Sequence, residues 1–512
     1  MKTLSITGEE RVIPVTMATQ HPDNVSKPSW SQREDGKITT DMEIEEAHRN
    51  FSDLGIEETM WDNEGKEVDY TVCIKLVSKY PFFKEKQVGK DVFITYRIPN
   101  RWQQKGTTYK HPLAAIPIEN ENLQEHGFHS PALFEVILPF TTNSYQLAGV
   151  QYDYVVNSSS RTPEFLEIIP LIEGSARLSD IQKILNGYTD AMKTIWNIKL
   201  NYVRPFLARS DPALDAGLIP ADLFALGGLS ECYQFSKKKE IEVFPIIGAG
   251  PSPFRGGLAP ERIEKFLQKF PGFRTGTIQS SFRYDHDEQT VKKAVEKLKI
   301  RMPKTEPRIF SKEDLKKMFA LMRIFSEPYQ ETIQGDVAHT ISYIATEFLP
   351  SHRERLGHVG HFGYSRGKDT ALPRAIKFVA ALDSLGVPPG IIGTGRGIKD
   401  ARKKGFMKFL EEIMPKLKED LVITGRYLNK KNLEQLAKTN ALWKDILEDV
   451  ELIEQYIDQE LGPGNDEEEK HNENTTKFFD LYRKYQKNQN SENKKIVIDA
   501  AMDAARERKY LG

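Results

Sequence analysis

The chain has little of what marks a secreted, membrane-bound or nucleic-acid-binding protein. Its two cysteines, Cys73 and Cys232, are too few for a disulfide framework and lack metal-ligand spacing, so we expect two reduced core thiols. Lys and Arg together number 72 against 73 Asp and Glu, so no bulk charge attracts nucleic acid or a membrane. Any anion binding must therefore come from local arginines.

Long apolar runs are also missing, since no uninterrupted run approaches the length that spans a bilayer. The first residues, MKTLSITGEERVIPV, are charged and interrupted by Gly8 and Pro14, unlike a signal peptide. No internal repeat occurs at solenoid or propeller periods. With 512 residues, 39% hydrophobic and 28% charged, the composition predicts a soluble globular protein of the cytoplasm with a sizeable core.

Short apolar runs recur, and each ends in a loop rich in Gly, Pro or Asp. Their Ile, Val and Phe content is typical of parallel strands that are buried on both faces. Helical patterns separate them, for example over 178–200, where Ser179-Asp180 forms a plausible N-cap, and over 311–333. The apolar runs cover residues 91–100, 131–140, 165–174, 199–211, 241–251 and 386–397.

This alternation predicts an α/β fold with a parallel sheet. Polar residues follow the strands, which favours a (β/α)8 barrel with additional helices, because the functional face of such a barrel lies there. A doubly wound sheet is the alternative. After Arg396 the chain is strongly helical and charged. We expect one catalytic domain over 1–512, with the acidic stretch 462–477 forming a mobile surface loop.

Two carboxylates occupy positions suited to a hard metal ion. Glu173 ends an apolar run, and Asp211 lies at another transition from strand to loop. Magnesium takes only one or two protein carboxylates and leaves its other positions to water and substrate. The alternative for Glu173 is a cap on the next helix, and Asp215 is either an N-cap or a supporting residue.

One histidine and one glycine loop supply further candidate chemistry. Pro22 biases His21 toward extended or turn geometry. A near-neutral pKa suits histidine to general base catalysis, although a lone histidine is more often structural. Arg255 lies in a loop with glycines at 248, 250, 256 and 257, which permit close approach of an anion. The loop matches neither a dinucleotide fingerprint nor a Walker loop.

Other arginines lie beside apparent strand ends or Gly-rich turns. Surface ion pairs explain most arginines in any protein, but the repeated placement favours an anion site. These arginines are Arg97, Arg283, Arg366, Arg374 and Arg396.

Together these segments resemble phosphoenolpyruvate carboxylase, in particular its short archaeal-type branch. The larger enzymes carry T-A-H-P-T, P-L-F-E, S-D-x-x-K-D-A-G and G-R-G-G-T-V-G-R-G-G. Here the matching stretches begin at Thr19, Pro170, Ser210 and Gly248. The archaeal-type segments TQHPDN, YRIPN, ARSDPAL, PFRGG and IGTGRG are closer still, and the resemblance runs from residue 21 to 512.

The resemblance implies a homotetramer that joins phosphoenolpyruvate and bicarbonate into oxaloacetate and phosphate. Bicarbonate would attack phosphorus, giving carboxyphosphate and a pyruvate enolate stabilised by Mg²⁺ or Mn²⁺ on Glu173 and Asp211. His21 would act as the base and Arg255 as an essential arginine. The C-terminal tail would return to the site. The substrate-binding residues would be Arg97, Arg209, Gly256, Gly257, Arg283, Arg366, Arg374, Arg396 and Gly512.

The chain departs from the larger enzymes at several positions. Ala249 replaces the first loop arginine, and Leu214 replaces a lysine. The arginine that follows R-A-I-P-W in the larger enzymes has no counterpart after Arg374, so Arg396 is the candidate substitute. The chain ends in Tyr510-Leu511-Gly512 and lacks the asparagine that binds inhibitory aspartate there. Aspartate feedback should therefore be weak.

Two other functions compete with this one. The first is a metal-dependent phosphotransferase that uses phosphoenolpyruvate, as pyruvate kinase does, but no nucleotide-binding signature is present. The second is a catalytically dead, metabolite-binding regulator. Such a protein would be expected to have lost His21, Arg255 or a metal carboxylate, and all of them are present.

Overall fold

The computed structural model describes residues 1–6, 8–33, 38–62, 68–103, 109–158, 165–350 and 372–512. The strands within these ranges are β1 (Lys2–Leu4), β2 (Glu10–Val12), β3 (Thr16–Ala18), β4 (Glu58–Asp62), β5 (Phe93–Arg97), β6 (Glu135–Leu138), β7 (Glu167–Ile172), β8 (Tyr202–Val203), β9 (Phe206–Ala208), β10 (Glu242–Val243), β11 (Ile246–Gly248) and β12 (Thr275–Ile278).

Eight strands close into a parallel barrel in chain order, β3-β4-β5-β6-β7-β9-β11-β12, with β12 pairing back to β3. Closure excludes the doubly wound sheet and confirms the barrel. Apolar side chains fill its interior, so the barrel is a packed core and not a pore. The interior cluster consists of Met17, Met60, Ile137, Ile169, Leu171, Phe206 and Ile246.

Five of the six apolar runs contain barrel strands, namely β5, β6, β7, β9 and β11. The sixth prediction is wrong, because residues 386–393 form buried turns that lead into a helix. Pro388 and Pro389 offer no backbone donors for a strand ladder. Gly393 has a φ of 72°, a left-handed conformation that glycine adopts without strain.

Helices cover the barrel and build most of the C-terminal part. The α-helices are α1 (Thr40–Ser52), α2 (Val72–Lys79), α3 (Phe82–Glu85), α4 (Lys110–Glu125), α5 (Ser144–Asn157), α6 (Ile181–Trp196), α7 (Ser210–Ala216), α8 (Leu218–Lys239), α9 (Ile263–Lys269), α10 (Ser280–Tyr284), α11 (Glu288–Arg301), α12 (Lys312–Thr332), α13 (Gly335–Glu347), α14 (Ala375–Ser384), α15 (Thr394–Lys403), α16 (Met407–Ile413), α17 (Leu417–Gly425), α18 (Lys430–Ala437), α19 (Ala441–Ile457), α20 (Asp466–Lys487) and α21 (Ser491–Arg508). Short 3₁₀ turns cover Ser175–Asp180, Pro253–Arg255, Pro260–Arg262 and Met302–Lys304.

Both helices predicted by periodicity are present as α6 and α12. Ser311 caps α12 through a reciprocal capping box with Asp314. Asp180 occupies the N-cap position of α6 but makes no side-chain cap hydrogen bond. Its carboxylate instead pairs with Arg177 and Lys183, at 3.3 and 3.4 Å.

The acidic stretch 462–477 is not a loop beyond its first residues, so that prediction is wrong. Asn465 caps α20 by accepting from the backbone N–H of Glu468. Four acidic residues then lie in the first turn, where they complement the helix dipole. His471 and Thr475 are buried, and α20 packs along α21. The N-cap and the three buried side chains of this stretch, Glu468, His471 and Thr475, therefore outweigh its polar composition.

The two ends of the barrel differ in chemistry. At the N-terminal end, the buried Arg204 guanidinium pairs with Glu58 and Glu135, at 2.7 and 2.6 Å. This ion cluster closes the barrel floor, while the opposite end opens into a cavity. Among the described helices, none has the length and apolar character needed to cross a membrane.

Candidate active site

A cavity of about 430 Å³ lies at the C-terminal end of the barrel. Every strand of a parallel barrel delivers the residues that follow it to this end, which is where barrel enzymes place their chemistry. The predicted site residues that line the cavity are His21, Arg97, Glu173, Arg209, Asp211, Arg255 and Arg374.

The candidate base lies in the loop that follows β3, three residues after its end. The His21 side chain is half-buried, and its Nδ1 lies 2.9 Å from the Thr19 hydroxyl oxygen. The backbone carbonyl of His21 accepts a hydrogen bond from Ser280. Contacts on both the ring and the backbone therefore hold the histidine at the mouth of the barrel.

The two candidate metal carboxylates line the same cavity. Glu173 directly follows β7 and is buried, and its Oε2 accepts from the backbone N–H of Phe140 at 2.6 Å. It is not a helix cap, because the 3₁₀ turn after it makes no side-chain cap. Asp211 lies in the first turn of α7, while Asp215 lies in its last turn and so is not an N-cap.

Two buried arginines of the cavity have acidic partners on neighbouring strands or helices. Arg97 ends β5 and donates through Nη1 to the carboxylate of Asp62, the last residue of β4, at 3.1 Å. Arg209 follows β9, and its Nη2 lies 2.7 Å from Oδ1 of Asp222 on α8. In both cases the pairing fixes a guanidinium that would otherwise be costly to bury.

Four protein groups bind the Arg255 side chain. Its Nε donates to Ser210 at 3.1 Å and its Nη2 to Gln279 at 2.5 Å. Its Nη1 donates to Asp23 at 3.1 Å and to the carbonyl of Gly512. Burial lowers the pKa of Arg255, and Asp23 opposes that shift. The arginine thus joins three barrel loops to the end of the chain.

The C-terminal tail closes over the site, as the resemblance implies. The backbone N–H of Leu511 donates to the carbonyl of Asp23 at 2.7 Å, and Leu511 lines the cavity. A Cβ on Gly512 would lie 2.0 Å from the carbonyl oxygen of Ile376 on α14. Only glycine fits at this last position.

The sequence profile of phosphoenolpyruvate carboxylase matches residues 13–512. The chain belongs to the phosphoenolpyruvate carboxylase family. A protein named phosphoenolpyruvate carboxylase from Leuconostoc mesenteroides is 35% identical over 90% of this chain and 93% of its own. Two proteins with the same name come from archaea. The one from Caldivirga maquilingensis is 34% identical over 98% of this chain and 100% of its own. The one from Metallosphaera sedula is 36% identical over 90% of this chain and 93% of its own.

A solved citrate lyase from Burkholderia xenovorans LB400 covers 65% of this chain and 97% of its own, at 11% identity. Its TM-score of 0.32 is too low to support an argument. The barrel is established by its own strand pairing. The near full-length matches to archaeal relatives confirm the archaeal-type branch of the phosphoenolpyruvate carboxylase family.

Not every arginine assigned through the phosphoenolpyruvate carboxylase resemblance reaches the cavity. Arg283 on α10 is buried and donates to Glu46 and Asn50 of α1, at 3.1 and 2.9 Å. It also donates to the Thr19 carbonyl at 2.7 Å. Arg283 therefore braces the loop that carries His21 and does not line the cavity.

Arg396 does not supply the guanidinium missing after Arg374, because it too lies away from the cavity. On α15 it pairs with the buried Asp449 of α19, with Nη2 to Oδ2 at 2.8 Å, and donates to Thr332 at 2.6 Å. Arg396 therefore joins α15 to α19 and α12. Arg374, at the N-cap of α14, does line the cavity, and Arg366 lies outside the described residues.

The two glycines after Arg255 shape the loop and do not line the cavity. Gly256 and Gly257 have φ values of 113° and 83°. Their N–H groups donate within the loop, to Pro253 and Gly250. A Cβ on Gly256 would lie 2.8 Å from that of Ala249. Glycine is therefore required here for the turn that presents Arg255.

Sequence reasoning missed Asp23, whose carboxylate is fully buried. Besides Arg255, it accepts from the Ser280 hydroxyl at 3.1 Å and the Ser281 N–H at 2.8 Å. A charged residue two positions after His21 was the available signal. Lys377 of α14 was missed as well. It lines the cavity, and burial lowers its pKa.

Proposed function

We propose that this protein carboxylates phosphoenolpyruvate with bicarbonate and forms oxaloacetate and phosphate. The observation that supports this is the convergence, in one cavity, of a histidine, two carboxylates and buried arginines. These are His21, Glu173, Asp211, Arg97, Arg209 and Arg255. Family membership supports the same reaction, because the matched relatives are named phosphoenolpyruvate carboxylase.

The first step transfers the phosphoryl group. A bicarbonate oxygen attacks phosphorus, and the bond from phosphorus to the enol oxygen breaks, which gives carboxyphosphate and the pyruvate enolate. The buried arginines neutralise the transferred group and hold both reactants in line. Because guanidiniums in a water-poor cavity are pre-oriented, they stabilise the transition state more than mobile surface cations do.

The second step uses His21 as the base. Its ring accepts the proton of carboxyphosphate, whose bond between carbon and the bridging oxygen then breaks, releasing carbon dioxide and phosphate. Carbon 3 of the enolate attacks carbon dioxide and forms the new carbon–carbon bond. Thr19 contacts Nδ1, so we assign Nε2 as the atom that takes the proton.

Glu173 and Asp211 would hold a magnesium or manganese ion. Two carboxylates with hard oxygen donors fit such an ion, which completes its coordination with water and substrate oxygens. The described residues contain no cluster of three His, Cys, Asp or Glu side chains suited to a metal. When bound, the ion supplies positive charge that stabilises anionic oxygens.

A coupled assay tests the proposal. Malate dehydrogenase and NADH report oxaloacetate while phosphoenolpyruvate, bicarbonate and magnesium are omitted in turn. We expect a signal that requires all three and does not respond to ADP. A requirement for ADP would support the phosphotransferase instead, and no turnover with intact ligand binding would support the regulator.

The proposal includes a homotetramer that works in the cytoplasm. The composition supports a soluble enzyme, and the resemblance supports the assembly. Light scattering on the purified protein measures the oligomer mass, with four times 58.6 kDa as the expected result. A fully active monomer or dimer would contradict the proposed homotetramer.

A further inference from the structure

The last residues reach the barrel through backbone contacts, and Arg508 makes one of them. Helix α21 ends at Arg508, and Lys509 then adopts a left-handed conformation with a φ of 62°. This turns the chain back toward the cavity, where Leu511 donates its N–H to the Asp23 carbonyl at 2.7 Å. The carbonyl of Leu511 accepts a hydrogen bond from Nη2 of Arg508 at 3.0 Å. Asp23 and Arg508 therefore bind the N–H and the carbonyl of the same residue.

A neutral histidine fixes the guanidinium of Arg508. Nη1 of Arg508 lies 3.0 Å from Nε2 of His471, which is fully buried on α20. Because arginine can only donate, Nε2 must accept, so the ring is neutral and carries its proton on Nδ1. Burial lowers the pKa of His471 well below its usual range, and the charge of Arg508 acts in the same direction. An imidazole nitrogen accepts one hydrogen bond where a carboxylate can take two adjacent N–H groups, so Nη2 stays available for Leu511.

The carboxylate that faces Arg508 belongs to Asp383 of α14 and stays beyond hydrogen-bond distance. Its Oδ2 lies 3.7 Å from Nε of Arg508, and within the described part of the chain neither atom has a hydrogen-bond partner. Both side chains are buried, so this gap forgoes stability that a direct hydrogen bond would supply. Arg508 thus binds the tail carbonyl closely while its ion pair remains long.

The tail connects this cluster to the cavity. Leu511 lines the cavity, and both Gly512 and Asp23 accept hydrogen bonds from Nη1 of Arg255. Asp23 also lies two residues after His21, the candidate base. Displacement of Leu511 would therefore disturb the loop of His21 and the contacts that hold Arg255.

We propose that Arg508 is a positioning residue of the active site, which holds the C-terminal tail in place, and that His471 and Asp383 orient its guanidinium. These three residues, all within the described ranges, do not line the cavity, so they act on the reaction through Leu511. The role deepens the proposed function and rests on it for the reaction that is measured. The tail contacts themselves do not depend on the identity of the substrate.

The test compares wild type with Arg508→Gln, His471→Leu and His471→Gln. His471→Gln keeps a hydrogen-bond acceptor for Arg508, while His471→Leu removes it. Arg506→Gln is the matched control, because Arg506 is an exposed arginine of the same helix. Each variant is also made in a chain that stops at Tyr510 and so lacks the tail carbonyl. The measurements are kcat and KM for oxaloacetate formation, hydrogen exchange of the C-terminal peptide by mass spectrometry, and the melting temperature.

We expect Arg508→Gln to lower kcat on the order of 10- to 100-fold, as misplacement of reacting groups does, and to change the KM for phosphoenolpyruvate by less than about threefold. Hydrogen exchange of the C-terminal peptide should become faster on the order of 10-fold. His471→Leu should resemble Arg508→Gln, whereas His471→Gln and Arg506→Gln should stay within about threefold of wild type. In the chain that stops at Tyr510, Arg508→Gln should lower the residual kcat no further.

A purely structural cluster predicts a different pattern, in which the melting temperature falls while kcat and exchange of the tail stay unchanged. That pattern would overturn the proposal, as would equal losses of kcat from Arg508→Gln in the full and the shortened chain. If Arg508→Gln does not fold, the contrast between His471→Leu and His471→Gln decides alone, and identical behaviour of these two would reject the role. Failure of the proposed function is a separate result, because wild type would then form no oxaloacetate, whereas hydrogen exchange of the tail needs no turnover.

Discussion

Nη1 of Arg255 donates a hydrogen bond to the carbonyl oxygen of Gly512, 257 residues further along the chain. The same nitrogen donates to Asp23, whose backbone carbonyl accepts from Leu511. The last residues therefore act as a latch that joins the loop of His21 to the loop of Arg255. Activity should depend on this latch even though the tail lies far from the barrel in sequence.

Gly512→Ala should inactivate the enzyme without unfolding it. The added Cβ would lie 2.0 Å from the Ile376 carbonyl, so the tail must leave its position against α14 and release Arg255. We expect kcat to fall on the order of 10²-fold, as loss of pre-organisation does, with little change in the melting temperature. Lys509→Gly is the matched control, because Lys509 is exposed and already has a φ of 62°. Full activity of Gly512→Ala would refute the latch.

Arg396→Gln should affect stability and not substrate binding. It removes the guanidinium from the buried carboxylate of Asp449, which keeps only two backbone N–H donors. Breaking a buried ion pair costs roughly 3 kcal/mol. We expect a lower melting temperature and a KM for phosphoenolpyruvate within about twofold of wild type. A large rise in the KM for phosphoenolpyruvate in a well-folded variant would mean that Arg396 does contribute to substrate binding.

Glu167, buried at the N-terminal end of the barrel, should make the stability of the protein depend on pH. Burial raises the pKa of Glu167 to about 8, and Glu135 acts in the same direction. The folded state therefore binds this proton more tightly than the unfolded state, so the contribution to stability is complete below about pH 4.5 and is lost as pH rises toward 8. Glu167→Gln should become progressively more stable than wild type over this range.

Denaturant unfolding at pH 5, 6.5 and 8 measures this difference. Glu492→Gln, which changes an exposed carboxylate of α21, should show no such trend. A Glu167→Gln difference that is constant with pH would mean that Glu167 is already ionised in the folded protein.

Aspartate should inhibit only weakly. The resemblance to the larger enzymes implies an asparagine that binds this inhibitor, and the corresponding position in this sequence is Tyr510. The measurement is initial rate against aspartate at subsaturating phosphoenolpyruvate. Inhibition at the low concentrations that suppress the larger enzymes would contradict the expectation.

The sequence predicts the barrel well because buried parallel strands carry a local signal. The runs around Arg97, Glu173 and Asp211 were identified by their Ile, Val and Phe content, and the polar residue after each run indeed lines the cavity. The stretch 386–397 was wrongly predicted as a strand for the same reason. Its buried turns contain two prolines but are as apolar as a buried strand.

The sequence around an arginine does not indicate which residue pairs with it in the folded protein. Arg283 and Arg396 lie beside Gly-rich or strand-end segments, as anion-binding residues do, yet their carboxylate partners are 237 and 53 residues away. The contact of Arg255 with Asp23 spans 232 residues. Only the folded chain distinguishes an arginine satisfied by its own protein from one with donors left for a ligand.

An experiment with ¹³C-labelled bicarbonate follows the transferred carbon atom into the product. Purified protein is incubated with phosphoenolpyruvate, ¹³C-bicarbonate and magnesium, the product is trapped as malate, and phosphate is quantified in parallel. We expect one labelled carboxyl group per malate, one phosphate per malate, and loss of labelled malate in His21→Asn. Unlabelled pyruvate as the sole organic product of wild type, or undiminished labelling in His21→Asn, would contradict it.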